Sequence, residues 1–200
     1  MASTRTADFL TSVRSTFNSV AALPIPSICA ISSIALGGGL ELALTADFRV
    51  FSSNAVVGLP ETRLGIIPGG GGCHRLPPLI GPSRARDVIL TGRRVPAPEA
   101  YFLGIADRLV EVPQAEEVPE GGEKEDVLSL ARRAALSEAV RFAQEICEGA
   151  PVAIRASLEA ARWATEDKEN QMSARVVVTE DRNEALRAFA EKRKPVFKGR

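Results

Sequence analysis

Residues 34–50 read IALGGGLELALTADFRV, and residues 57–72 read VGLPETRLGIIPGGGG. In the first block an apolar stretch runs into three glycines and then into the helix formers Leu40-Glu41-Leu42-Ala43-Leu44. The local reading is strand, glycine turn, helix. Such a turn presents free backbone N–H groups with the positive end of a helix dipole behind them. That arrangement stabilises a phosphate or a developing oxyanion. It is not a Gly-x-x-x-x-Gly-Lys-Ser/Thr phosphate loop, and a dinucleotide fingerprint fails at Leu42, where the third glycine is needed. Close helix–strand packing is the competing explanation of the glycines alone.

Two carboxylates sharpen the functional reading. Glu41 lies two residues past Gly39 among Leu36, Leu40, Leu42 and Leu44, and Glu61 follows twenty residues later in another apolar frame. Either acid has an ordinary role available, as dipole complement or as ion-pair partner of Arg63. A carboxylate held in an apolar setting also has its pKa raised toward acid–base usefulness. Two of them beside an anion-stabilising turn make a candidate acid/base pair.

The rest of the composition excludes more than it suggests. The 200 residues carry 25 Lys+Arg against 25 Asp+Glu. Zero net charge argues against a general nucleic-acid binder and against electrostatic membrane docking. Nine of the 16 glycines fall between Gly37 and Gly72, while the first lysine is Lys124. Cys29, Cys73 and Cys147 form no CxxC pair and the chain has one histidine, so no metal site and no disulfide framework is expected. No apolar run reaches the roughly 20 residues of a membrane span.

Along the chain, Phe9, Val13, Phe17 and Val20 repeat at helical spacing before Pro24 and Pro26. A Ser/Thr/Arg-rich start also fits a mitochondrial presequence. Strands are expected at 27–34, 47–51, 55–58 and 108–112, the middle pair around a 52–54 turn. Helices are expected at 72–79, at 83–90 and from the 96–99 cap, with a tight turn or short helix at 60–62. Residues 113–123 (PQAEEVPEGGE) read as an acidic linker. Beyond it lie a long helix over 128–146, another opened by Pro151, and a charged last one at 182–194. Cys29, Cys147, Tyr101 and Trp163 read as packing residues, and His74 as a helix-start residue.

The blocks at 34–50 and 57–72, with RLPPLIG at 75–81, LTGRRVPAPEAYFLGIADRLV at 90–110 and ALRAFAEKRKPVFKG at 185–199, resemble the enoyl-CoA hydratase/isomerase (crotonase) superfamily. The likeness is greatest to its methylglutaconyl-CoA hydratase (AU-binding homologue) branch and runs from about residue 7 to the end. It implies an α/β fold with a spiral ββα core over 1–112, incomplete at its N-terminus, and a helical trimerisation region over 124–200.

The resemblance places Gly38 at the backbone N–H that helps hold the thioester oxygen, and Gly69 at the turn flooring the pocket beside the attacking water. Glu41 and Glu61 match the two hydratase glutamates, Glu41 directed mainly at the water and Glu61 at the C2 proton. The implied activity is syn addition of water to a short or branched 2-enoyl-CoA, of methylglutaconyl-CoA or crotonyl-CoA type. The alternatives are a Δ-isomerase or a catalytically impaired structural paralogue. Coenzyme A is part of the substrate and no separate cofactor or metal is expected. The partners implied are an acyl-CoA and further copies of the chain, as a homotrimer or dimer of trimers, with no nucleic acid and no membrane.

Three departures from the family pattern stand out. The chain starts close behind the loop that supplies the second oxyanion N–H, so residues 1–10 read as the helix after that loop and the N-terminal core as truncated. The 164–178 segment looks shorter than the family's helical segment. Cys73-His74 replaces a usual Thr-Gln. The mitochondrial matrix is the compartment implied by resemblance, with peroxisome or cytoplasm as alternatives.

Overall fold

The computed structural model describes residues 2–112 and 126–200. The chain divides into two compact units, one of residues 1–23 and 27–140, the other of residues 24–26 and 141–200. The division falls inside a long helix. Residues 113–123, expected as an acidic linker, lie outside the described residues.

In the first unit, helix α1 (Ala2–Ala21) precedes strands β1 (Ile28–Ile31) and β2 (Ile34–Leu36) and helix α2 (Gly38–Ala43). Strands β3 (Phe48–Ser52) and β4 (Val56–Gly58) repeat the pattern, followed by a 3-10 turn at Pro60–Leu64 and helices α3 (Gly72–Ile80) and α4 (Pro82–Thr91). Strand β5 (Arg94–Pro96), helix α5 (Ala97–Leu103) and strand β6 (Arg108–Val110) complete the core.

Two three-stranded sheets result, ordered β1-β3-β6 and β2-β4-β5. Strand β3 lies parallel to β1 with Ile28 opposite Phe48, and β4 lies parallel to β2 with Leu36 opposite Gly58. Each strand pair therefore stacks on the pair before it. This is the spiral ββα arrangement that the resemblance implied.

The run at 27–34 was expected to be one strand and is instead split at Ser32-Ser33. Its two halves belong to different sheets, so the chain must turn a corner between them. Strand β5 also escaped the sequence reading. It is three residues long, ends at Pro96 and pairs antiparallel with β4, an edge position in which proline is tolerated. The core between the sheets and α2–α5 buries Leu40, Phe51, Val57, Leu59, Leu76, Val88, Val95 and Ile105.

Arg49 is buried in this unit as a structural charge. Its guanidinium donates to the carbonyls of Ile105 (2.6 Å) and Ala46 (2.8 Å) and pairs with Asp107 Oδ2 at 2.9 Å. Helix α6 (Val127–Cys147) contributes Ala131, Ala135 and Ala139, four residues apart, with Leu130 beside them on one buried face.

The second unit contains helices α7 (Pro151–Trp163), α8 (Glu166–Val176) and α9 (Glu180–Ala190). Helix α8 occupies the segment expected to be short. Thr165 caps it by accepting from Lys168 N, and Glu166, Asp167 and Glu169 complement its N-terminal dipole. The C-terminal backbone folds back onto α9, where buried Asp181 accepts from the amides of Lys198 (2.7 Å) and Gly199 (2.8 Å).

Four residues read as packing groups divide differently. Cys29 is half-buried against the core, as expected. Cys147 is exposed, as are Tyr101 at 53% and Trp163 at 68%. Helical periodicity locates an apolar side chain on a face without saying whether that face is covered.

Candidate active site

Both glutamates leave the C-terminal ends of neighbouring parallel strands. Glu41 lies five residues past β2, and Glu61 lies three past β4. Because Leu36 pairs with Gly58 and Gly37 N donates to Gly58 O at 2.9 Å, the two exits run side by side. Open α/β sheets place their ligands at such strand ends.

Glu61 abuts the first glycine run, and Glu41 is held by the second. Gly37, at φ 54° in the left-handed region where glycine is at ease, begins the turn into α2. A Cβ there would lie 3.2 Å from Glu61 Oε1. Glu41 reaches across to the second run, where its Oε1 accepts from Gly70 N at 2.8 Å and Gly72 N at 2.9 Å. Gly72 opens α3, so this carboxylate also complements a helix N-terminus. Gly70 must lack a side chain, since a Cβ would approach Glu41 Oε2 to 2.6 Å.

Both carboxylates are buried, Glu41 at 5% exposure and Glu61 at 8%. Among the described residues Glu61 Oε2 is the one buried side-chain polar atom without a hydrogen-bond partner. Burial pushes the Glu61 carboxyl above its ordinary value. Its own backbone hydrogen bond opposes that rise and the nearby Glu41 charge adds to it. A carboxyl whose burial favours its protonated form, beside a carboxylate fixed by two amides, is a pair with the chemistry to give one proton and take another.

Gly38 stands at the first turn of α2, where the helix leaves its N–H without an intrahelical partner. Gly69 does not face the carboxylates through its carbonyl, which accepts from Arg14 Nε of α1 at 2.6 Å. The amides that touch Glu41 are those of Gly70 and Gly72, which the sequence reading did not single out. It also missed Arg14 and Arg75, and no local signal marks either. Cys73 and His74 are exposed at the start of α3. Burial, then the Glu41 and Glu61 charges, raises the Cys73 thiol, which leaves it a poor nucleophile. Burial and the Arg75 charge lower the His74 imidazole. Among the described residues no three His, Cys, Asp or Glu side chains are grouped to hold a metal ion.

The Enoyl-CoA hydratase/isomerase family profile matches residues 1–200. The chain belongs to this family. It is 64% identical over 198 residues to methylglutaconyl-CoA hydratase 1, mitochondrial, of Pyricularia oryzae, covering 98% of this chain and 57% of that protein. An enoyl-CoA isomerase/hydratase of Zymoseptoria tritici is 58% identical over 197 residues, covering 98% of this chain and 62% of the relative. The chain thus spans about three-fifths of the length of these curated relatives. Among solved structures, an enoyl-CoA hydratase from Bacillus anthracis superposes with a TM-score of 0.84 at 38% identity, covering 100% of this chain and 72% of that one. The crotonase fold is therefore that of this chain.

Proposed function

We propose that this family member is a CoA-thioester hydratase that adds water syn across the double bond of a short or branched 2-enoyl-CoA. The observation that carries the reading is the pair of buried carboxylates, one with an oxygen fixed by two amides and one with an oxygen lacking any partner.

Polarising the thioester carbonyl makes C3 electrophilic. Water forms its bond to C3 as Glu41 accepts a proton from it, and electron density moves onto the thioester oxygen. The Gly38 N–H faces that charge, a contribution of about 2.7–4 kcal/mol for one such donor. The enolate then collapses as protonated Glu61 gives its proton to C2. The raised Glu61 pKa fits the donor, and the fixed Oε1 of Glu41 leaves Oε2 as the oxygen for the water. Gly69 shapes the pocket floor through the strap it begins. The reaction is redox-neutral and this scheme routes no step through a metal or separate cofactor.

The names of the Pyricularia relative and of the mouse methylglutaconyl-CoA hydratase, 40% identical, support a branched substrate and a mitochondrial location. Copies of the chain acting as a homotrimer or dimer of trimers belong to the same proposal, and light scattering tests it.

Loss of the conjugated enoyl-thioester absorbance on mixing the protein with crotonyl-CoA or 3-methylglutaconyl-CoA tests the chemistry. Glu41→Gln and Glu61→Gln should each remove that change. Retention of double-bond migration by Glu41→Gln would favour an isomerase, which needs one carboxylate. A folded wild-type chain that leaves every enoyl-CoA untouched would make it a non-catalytic family member.

A further inference from the structure

The four glycines at 69–72 have no side chains with which to hold themselves, yet two of their amides converge on one oxygen of Glu41. Something must fix the direction of those amides, because glycine backbone is the least restrained of any. The peptide planes show what does. A trans peptide is rigid, with its C=O and N–H pointing opposite ways. The plane joining Gly69 to Gly70 receives Arg14 Nε on its carbonyl at 2.6 Å and directs its N–H to Glu41 Oε1 at 2.8 Å. The next plane, Gly70 to Gly71, receives Arg75 Nη1 on its carbonyl at 3.0 Å. The third, Gly71 to Gly72, is held by the first turn of α3, where His74 N and Arg75 N donate to Gly71 O, and its N–H goes to Glu41 at 2.9 Å.

We propose that Arg14 and Arg75 are positioning residues for Glu41, gripping consecutive carbonyls of the glycine strap whose amides hold the carboxylate. The proposal rests on the hydratase reading only for its kinetic consequence.

Arg75 also joins the strap to α1, since its Nη2 donates to Asn18 Oδ1 at 2.7 Å. One guanidinium fork thus spans two acceptors that a single ammonium cannot reach together. The strap fits closely between its holders. A Cβ at Gly71 would overlap the Arg75 guanidinium, and the φ of 128° there strains any other residue. Through the 69–70 plane, a cation at the carbonyl polarises the N–H that meets the anion, so the two charged hydrogen bonds strengthen each other. The Arg75 charge and the Glu41 charge also attract directly.

The test reads both the strap and the reaction in the full chain. Arg14→Met and Arg75→Met should each lower kcat for enoyl-CoA hydration about tenfold and leave KM within twofold, because misplaced catalytic groups slow the chemical step. Arg14→Lys should recover to within threefold of wild type, whereas Arg75→Lys should not.

Amide hydrogen exchange by NMR supplies the readout that does not need turnover. Gly70 should exchange at least about tenfold faster in both Met variants, while Val88 in α4 is unchanged. Unchanged exchange at Gly70, or equal acceleration at Val88, overturns the proposal. If wild type hydrates no enoyl-CoA, or Glu41→Gln is as active as wild type, the hydratase reading fails while the exchange result still decides the role of the arginines.

Discussion

The first unit buries charge in two places and treats them in opposite ways. At Arg49 every guanidinium nitrogen is engaged, by two carbonyls and by Asp107. At the glutamate pair, Glu61 keeps an oxygen with no partner and Glu41 is held through one oxygen only. A charge buried for stability is saturated with hydrogen bonds, because leaving it short is costly. A charge buried for chemistry keeps an atom in reserve.

That contrast predicts opposite phenotypes. Glu61→Gln should lower kcat by about 10³-fold or more, within the range of a lost general acid, while urea unfolding stays near wild type. A folded variant retaining a tenth of the activity would break the comparison. Arg49→Met should do the reverse. It removes the guanidinium from two carbonyls and from Asp107, which keeps only the Arg49 amide at 2.7 Å, costs about 3 kcal/mol of unfolding free energy, and leaves kcat per folded molecule unchanged.

Gly70→Ala tests the close contact between strap and carboxylate. The new Cβ must displace Glu41 Oε2 or the strap, and about a hundredfold loss of kcat is expected. Asp181→Asn, in the second unit, should cost about 1–3 kcal/mol through its two backbone donors and leave the chemistry intact, as chemical denaturation and the absorbance assay would show.

The smallest effect is that of pH on stability. Burial holds the folded Glu61 pKa above its ordinary 4.5, so the native state binds that proton more tightly than the unfolded chain. The resulting stabilisation is complete below about pH 4.5 and is lost as pH rises through the folded value. Glu61→Gln lacks this loss. Its stability relative to wild type should therefore increase from pH 4 to pH 8, and a flat difference would show that Glu61 is not held protonated. Hydration by wild type should fall over the same rise in pH, as the proton donor is lost.

Much of the core could be read locally. The strand–glycine–helix order, the turn at 52–54 and the helices near 72 and 83 follow from periodicity and glycine placement, and both helices lie within two residues of their expected bounds. The two glutamates announced themselves as acids in apolar frames. The break at Ser32-Ser33 did not, because an eight-residue apolar run looks the same whether it serves one sheet or two. Strand β5 was hidden by its brevity and by Pro96. Helix α8 was obscured by comparison with family length, although Thr165 followed by acids is a helix start that capping rules recognise.

The sequence by itself determined which residues can do chemistry, since charge, apolar framing and glycine runs are local properties. It set the first glycines at the start of the helix that carries Glu41, where α2 does begin. Only the tertiary structure decided the crossed arrangement, in which Gly37 abuts Glu61 while Gly70 and Gly72 hold Glu41. The physical reason is the parallel pairing of β2 with β4, which brings two loops twenty residues apart to one edge. Arg14, 55 residues from the carbonyl it grips, becomes part of the site by that same non-local route, one that no window of local sequence contains.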